Sequence, residues 1–339
     1  MTILSSIHLY PPHHVCGAEM MLHQLNKYLQ SKGHTIKVLL KQANQFKIES
    51  HYIWENIDIF PPDQYNETML FQQADAIITH LDYSAWTQAL AGIYKKPVFQ
   101  IIHNSFPRDH IKNAELQQYI VYNSNWIKEE LQYPHPSIVF HPPTDYRYYD
   151  IKQDPWDGEY ITLINLDQNK GGEILREIAR KMPDYKFLGV KGSYSEPMKI
   201  GQITDQPPNV RIIEKQVDIL PVYKMTKILI MPSLYESWGR TATEAMCSGI
   251  PVIASPTPGL KENCANAGIF VSDRTNIDEW VKAIEKLHNE KTYRKWSDKA
   301  KARSRELDPQ QELEQIESWI TEIASKYQNG NVNKYGIKH

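Results

Sequence analysis

The chain has 339 residues, enough for two domains with proper cores and too many for a disulfide-stapled miniprotein. Apolar residues make up 41% and charged residues 23%, and no stretch approaches the ~18 consecutive apolar residues of a spanning helix, which argues against an integral membrane protein. Lys+Arg 38 against Asp+Glu 40 leaves a formal charge of -2, so no overall basic field exists to collect nucleic acid or anionic lipid.

The charge is uneven along the chain. Residues 1–150 hold 11 Lys/Arg, 14 Asp/Glu and 11 of the 13 His, making an acidic, histidine-rich front half. Cys16, Cys247 and Cys264 are scattered, with no Cys-x-x-Cys, which fits a reduced cytoplasmic protein. Met1 to Tyr10 has neither a basic segment nor a sustained apolar run before Pro11-Pro12, so no signal peptide is expected.

In chain order, apolar β-rich runs predict strands at Thr2–His8, Ile36–Leu40, Ala76–Thr79, Pro97–Ile102, Tyr119–Asn123 and Ser137–Phe140. Helical spacing predicts helices between them, such as Ala18–Gln30 and Asn125–Leu131, the latter behind a Ser124 N-cap. This alternation implies a mostly parallel sheet covered on both faces. From His141 to Gly158 the chain is rich in Pro, Asp and aromatics, and reads as a linker between domains.

The alternation then restarts with strands at Tyr160–Asn165, Lys186–Val190, Val210–Ile213, Ile228–Met231 and Pro251–Ala254, and a helix at Gly172–Lys181. The tail is helical: Asp278–Asn289, Lys291–Leu307, and a segment from Pro309 with Leu313, Ile316, Ile320, Ile323 and Tyr327 on one stripe. That stripe needs an apolar partner, and docking back on the first domain is its most economical use. The polar segment 328–339 is expected to fray. The expected division is 1–146, 147–308 and a returning helix at 309–328.

The most informative stretch runs from Met231 to Ala254. A strand ends at Pro232, a polar loop carries Glu236, Gly239 permits close backbone approach, and a helix runs to Gly249. The N-terminus of that helix at Gly239–Thr241 suits a phosphate group, because its free N–H groups and dipole point outward. Glu236 and Glu244 suit hydroxyls on either side of that phosphate, a sugar and a ribose. The alternative is that Glu236 caps the helix and Glu244 is a solvated helical residue.

This strand–Pro-Ser–x-x-Glu–x-aromatic-Gly–Glu-Ala-Met–Gly–Pro-Val pattern resembles the donor-site motif of retaining GT-B-fold glycosyltransferases, family 4 (glycosyl transferases group 1). The resemblance covers nearly the whole chain. Pro11-Pro-His-His-Val-Cys-Gly17-Ala-Glu19 resembles the family's Gly-Gly-Ala-Glu loop, which approaches the donor phosphates from the opposite domain. Asn165-Leu-Asp-Gln-Asn-Lys170-Gly resembles its Arg-x4-Lys-Gly diphosphate clamp, and Ile102-His103-Asn104 resembles the strand-end His that reaches the transferred sugar. Asn123-Ser124 and Pro143-Thr-Asp145 resemble the ends of the front domain.

Three positions depart from that pattern. Cys16 stands for a Gly, Trp238 for a Phe, and Asn165 for the Arg, which removes a full charge from the clamp. Arg240 is the first candidate to compensate and Lys191 the second, the alternative for Arg240 being a surface Arg lying over the helix. His103 has the alternative of a hydrogen-bonded structural His. His13-His14-x-Cys16 has no second ligand cluster at matching spacing, and no Asp-x-Asp metal motif occurs, so no cofactor and no required metal are expected.

The resemblance implies an α/β GT-B fold, two Rossmann-like doubly wound domains facing a central cleft, with acceptor in the first and nucleotide-sugar donor in the second. The activity implied is retaining, metal-independent transfer of a hexose-type sugar from a UDP- or GDP-sugar. Glu236, His103 and Lys170 would be catalytic. Gly17, Asn165, Lys191, Val217, Ser237, Trp238, Gly239, Arg240, Thr241 and Glu244 would join Lys170 around the donor. His80, Asp82 and Tyr83, after the strand Ala76–Thr79, should lie on the acceptor side, where aromatic faces suit sugar rings. A glycan, lipid-linked, small-molecule or modified-nucleobase acceptor fits equally, and stable nucleic-acid binding is not expected. A nucleotide-sugar epimerase or hydrolase on the same fold, or a non-catalytic sugar-nucleotide-binding module, are the rival readings.

Overall fold

Short apolar runs separated by amphipathic segments favour strands buried on both faces, and the backbone follows that rule. The computed structural model of the chain describes residues 1–41, 48, 50–106, 118–192 and 206–330. The chain divides into two units, Met1–Pro143 with the segment from Pro309 onward, and Thr144–Asp308.

In the first unit β1 (Thr2–Ile7) leads through α1 (Gly17–Ser31) to β2 (Thr35–Leu40) and a hairpin of β3 (Tyr52–Trp54) and β4 (Ile57–Phe60). Then come α2 (Gln64–Gln73), β5 (Ala76–His80), α3 (Ser84–Ile93), β6 (Val98–Ile102), β7 (Tyr119–Tyr122), α4 (Asn125–Leu131) and β8 (Ser137–Val139). The described strands form one sheet in the order β3-β4-β2-β1-β5-β6-β7-β8, parallel except for the antiparallel pair β3–β4. The hairpin falls outside the expected strands: β3 alternates between half-buried and exposed, with Ile53 63% exposed, while β4 buries Ile57 and Ile59. Ser124 does hold the N-cap position of α4, but its hydroxyl donates to Asn123 Oδ1 and not to the helix.

The second unit begins with α5 (Tyr146–Tyr149), then β9 (Tyr160–Ile164), α6 (Gly172–Lys181), β10 (Lys186–Val190), β11 (Val210–Ile213), α7 (Leu220–Met225) and β12 (Thr226–Met231). It continues with α8 (Arg240–Cys247), β13 (Val252–Ala254), α9 (Pro258–Cys264), β14 (Gly268–Phe270), α10 (Ile277–Lys286) and α11 (Glu290–Glu306). The described strands are all parallel, in the order β11-β10-β9-β12-β13-β14, the arrangement of a dinucleotide-binding sheet. The stretch expected to be a linker is partly core: Tyr149 and Ile151 are buried with Tyr223, Leu229 and Met246.

The final helix, α12 (Gln310–Gln328), belongs to the first unit. Leu313, Ile316, Ile320 and Ile323 are buried in one cluster with Met21, Leu25, Phe99, Ile101 and Val121. Glu312 accepts hydrogen bonds from the backbone N–H and Nδ1 of His141, each 2.7 Å, and fixes the start of the helix. Residues 331–339, most of the segment expected to fray, lie outside the described residues. Ile320→Ala should destabilise the first unit by about 2–5 kcal/mol, read as a fall in its urea midpoint. An unchanged midpoint would mean that α12 contributes nothing to that core.

Candidate functional site

In an open parallel sheet, loops leave the carboxyl ends of neighbouring strands in opposite directions where the strand order reverses, and a crevice opens between them. In the second unit that point lies between β9 and β12, so residues 165–171 and 232–239 face one another. Lys170 Nζ donates to Glu236 Oε1 at 2.6 Å, and Ser233 Oγ donates to the same oxygen at 3.0 Å. Glu236 is mostly buried while Lys170 is about one-third exposed. An ammonium has three donors, so the bond to Glu236 leaves two for an anion.

Several contacts hold these loops in register. Leu234 N donates to Asn169 O at 2.8 Å. Gly171 has φ 93°, and a Cβ there would lie 2.4 Å from Pro232 Cγ, so only glycine lets the two loops come this close. Arg274 donates from Nε to Pro232 O at 2.5 Å and from a terminal nitrogen to Gln168 O at 3.2 Å, clamping both loops at once. Asn263 donates to the carbonyls of Trp238 and Gly239, both at 3.1 Å, and so fixes the start of α8. Neither Arg274 nor Asn263 stands out in the sequence, because each acts through backbone atoms of a distant segment.

Gly239 occupies the N-cap of α8 with φ 84° and no side-chain cap. Its carbonyl accepts from Ala242 N at 2.8 Å, and Thr241 lies in the first turn. Trp238, expected around the donor, is only 2% exposed, so its ring is an interior support of the loop. Ser237 neighbours it, half-buried.

Arg240 requires a correction. Its Nε donates to Glu244 Oε1 at 2.8 Å and a terminal nitrogen donates to Tyr149 Oη at 2.9 Å. Burial lowers the pKa of Arg240, but Tyr149 and Glu244 outweigh it and raise it above the ordinary guanidinium value. The guanidinium is thus committed to a nearly buried network and not aimed outward as a diphosphate clamp. Tyr223 Oη donates to Glu244 Oε2 at 2.8 Å, so both Glu244 oxygens already have partners. Carboxylate oxygens accept more than one bond, and Glu244 retains capacity for a hydroxyl.

Asn165 stands at φ 74°, a region Asn tolerates better than most residues, and its Oδ1 accepts from Asp167 N at 3.0 Å. It shapes the turn after β9 and adds no charge. Lys191 pairs with the exposed Glu214, an exposed ion pair that holds it only weakly. Val217 is 75% exposed on the same edge of the sheet.

The first unit has its own reversal point between β1 and β5. His103, just after β6, accepts or donates one bond with His80 Nδ1 through Nε2, at 3.0 Å. Burial lowers the pKa of His103 to about 4, against the attraction of Glu19, so it is neutral near pH 7. His80 is fully buried and likewise shifted down, by burial first and then by His103 and His8. It therefore supports His103 and does not present a face to an acceptor, as expected for it earlier. Asp82 is exposed and Tyr83 half-buried, in a single turn of 3-10 helix after β5. Gly17 starts α1, exposed, with open space where a Cβ would stand.

Residues 174–303 match the family model described as Glycosyl transferases group 1. The chain is 28% identical over 167 residues to an uncharacterised glycosyltransferase of Haemophilus influenzae, covering 46% of each chain. It is 26% identical over 198 residues to the D-inositol 3-phosphate glycosyltransferase of Mycolicibacterium smegmatis, covering 52% of this chain and 44% of that one. The matched segment is therefore about half the length of these curated relatives. Among solved structures, Anabaena HepE in complex with UDP-glucose superposes with a TM-score of 0.74 at 16% identity, covering 96% of this chain and 100% of that one. The chain has the GT-B-type α/β fold of two Rossmann-like units. Among the described residues no helix is long and apolar enough to cross a membrane.

Proposed function

We propose that the chain is a retaining glycosyltransferase of the family 4 kind, which binds a nucleotide diphosphate sugar in its second unit and passes a hexose-type sugar to an acceptor held by the first. The observation that carries this reading is the Lys170–Glu236 contact at the strand-order reversal, beside the start of α8. Support also comes from the match of residues 174–303 to the glycosyl transferase group 1 model and from the UDP-glucose bound by the Anabaena neighbour, which makes a UDP-sugar the first donor to try.

In this mechanism the leaving diphosphate carries the developing charge. Lys170 and the N–H groups at the start of α8 are fixed donors aimed at that charge, which is preorganised electrostatic catalysis. Glu236, held by Lys170 and Ser233, orients the sugar through its hydroxyls. Glu244, held by Arg240 and Tyr223, accepts from the ribose, while the backbone around Glu214–Val217 meets the base. The family resemblance further assigns Gly17 to the phosphates and His103 to a hydroxyl of the transferred sugar. Departure and attack then occur on the same face, and configuration is retained. Lys170 supplies the cation and the start of α8 the N–H donors, so this reading needs no Mg2+ or Mn2+ at the diphosphate.

Thermal shift against UDP, GDP, ADP, dTDP and their sugar conjugates, each followed by an assay of nucleotide release without acceptor, tests the reading. Selective stabilisation by one nucleotide, with slow release unaltered by added Mg2+ or Mn2+, is the expected result. Fast acceptor-free release would replace it with an epimerase or hydrolase. Binding with no turnover on any acceptor would leave a sugar-nucleotide-binding module, and no stabilisation at all would reject the donor site.

A further inference from the structure

At the reversal point of the first unit, two parallel neighbours end in histidines. His8 follows β1 directly and His80 is the last residue of β5, and the paired strands bring their imidazole rings to 5.4 Å between centroids. The first turn of α1 brings Glu19 beneath them, fully buried, with Oε1 2.8 Å from His8 Nε2. One ligand atom from each of His8, Glu19 and His80 lies within 4.8 Å of the others. We propose that His8, Glu19 and His80 form a binding site for a divalent transition-metal ion of the zinc class.

Three atoms no more than 4.8 Å apart share a central point within about 2.8 Å of each, and side-chain rotations of under about 1 Å bring them to the 2.0–2.2 Å of zinc bonds. Two imidazoles and one carboxylate make a borderline donor set, which suits Zn2+ and its first-row neighbours and not the hard, all-oxygen preference of Mg2+ or Ca2+. The tautomer fits as well. His80 Nδ1 is engaged with His103 Nε2, which leaves His80 Nε2 as the ligand atom, and this buried nitrogen has no hydrogen-bond partner among the described residues. A metal-bound His characteristically donates its other ring nitrogen to a neighbour in this way. Burial of all three side chains removes competing bulk water.

Glu19 also belongs to a second close group with His14 and Cys16. The sequence motif His13-His14-x-Cys16 shows no second ligand cluster because the missing donors come from β1, α1 and β5. All three residues lie within the first unit, and the assignment does not rest on the transfer reading.

The test is Zn2+ titration of the chelator-stripped 339-residue chain in competition with a chromophoric chelator, with X-ray absorption on the Zn-loaded wild type. One equivalent bound, in a shell of two imidazoles and a carboxylate oxygen, is the expected result. Glu19→Gln and His80→Ala should weaken binding by more than about 100-fold, and His103→Ala, which removes only the outer hydrogen bond, by about 10–100-fold. Circular dichroism of the stripped variants checks that they fold, and the wild-type absorption spectrum decides the matter if they do not. Absence of stoichiometric binding would mean a buried water only. A sulfur-dominated shell, or affinity unchanged in folded Glu19→Gln and His80→Ala, would place the ion elsewhere and overturn the assignment.

Discussion

Lys170→Ala is expected to lower sugar transfer by about 10²–10³-fold, the cost of deleting one preorganised donor to a developing negative charge. That corresponds to about 2.7–4 kcal/mol of transition-state stabilisation, and the loss should fall more on turnover than on affinity for the donor. The geometry adds a second effect. Lys170 and Ser233 both donate to Glu236 Oε1, so removing the ammonium leaves the mostly buried carboxylate with the hydroxyl alone on that oxygen. Glu236→Gln and the double variant complete a cycle: coupling of at least about 0.5 kcal/mol between the two positions is expected of side chains in direct contact. Additive effects, or a Lys170→Ala enzyme with near-normal turnover measured by nucleotide release with acceptor, would remove Lys170 from the chemistry.

Arg240→Ala is expected to destabilise the second unit by about 3–5 kcal/mol, because it strands Glu244 in a nearly buried position without its counter-charge. Glu244→Gln in the same chain should recover part of that loss, since it removes the orphaned charge. Arg240→Lys should not restore stability fully. One guanidinium reaches Glu244 and Tyr149 through separate nitrogens, and a single ammonium lacks that fork. Urea unfolding of the four proteins measures these differences. A fall in nucleotide diphosphate affinity with no change in unfolding midpoint would instead return Arg240 to the role of an anion clamp.

The parts of the fold written in local periodicity were legible in the sequence. The runs that become β1, β9 and β12 are largely buried on both faces, and the α12 stripe of Leu313, Ile316, Ile320 and Ile323 is buried as its spacing implies. The β3–β4 hairpin was not legible, since a three-residue strand with an exposed central Ile53 carries no pattern. For the candidate site, the position of the loops after β9 and β12 followed from motif order, while side-chain direction did not. Arg240 is four residues from Glu244, yet its other partner, Tyr149, lies ninety-one positions away, and no local rule announces that bond. His80 shows the same limit, because a residue at a strand end faces inward or outward according to what lies above it. Arg274 and Asn263 act on carbonyl oxygens, which every residue possesses and which therefore leave no mark in the sequence.

Because α12 completes the core of the first unit from the far side of the second, the two units mature out of sequence order during synthesis. Domains emerging from the ribosome ordinarily fold from the N-terminus onward. Here the sheet that is made first lacks the apolar surface of Leu313, Ile316, Ile320 and Ile323 until the whole of Thr144–Asp308 has been translated, while the second unit has its full complement of strands by then. The nascent first unit thus carries an uncovered apolar face through that interval.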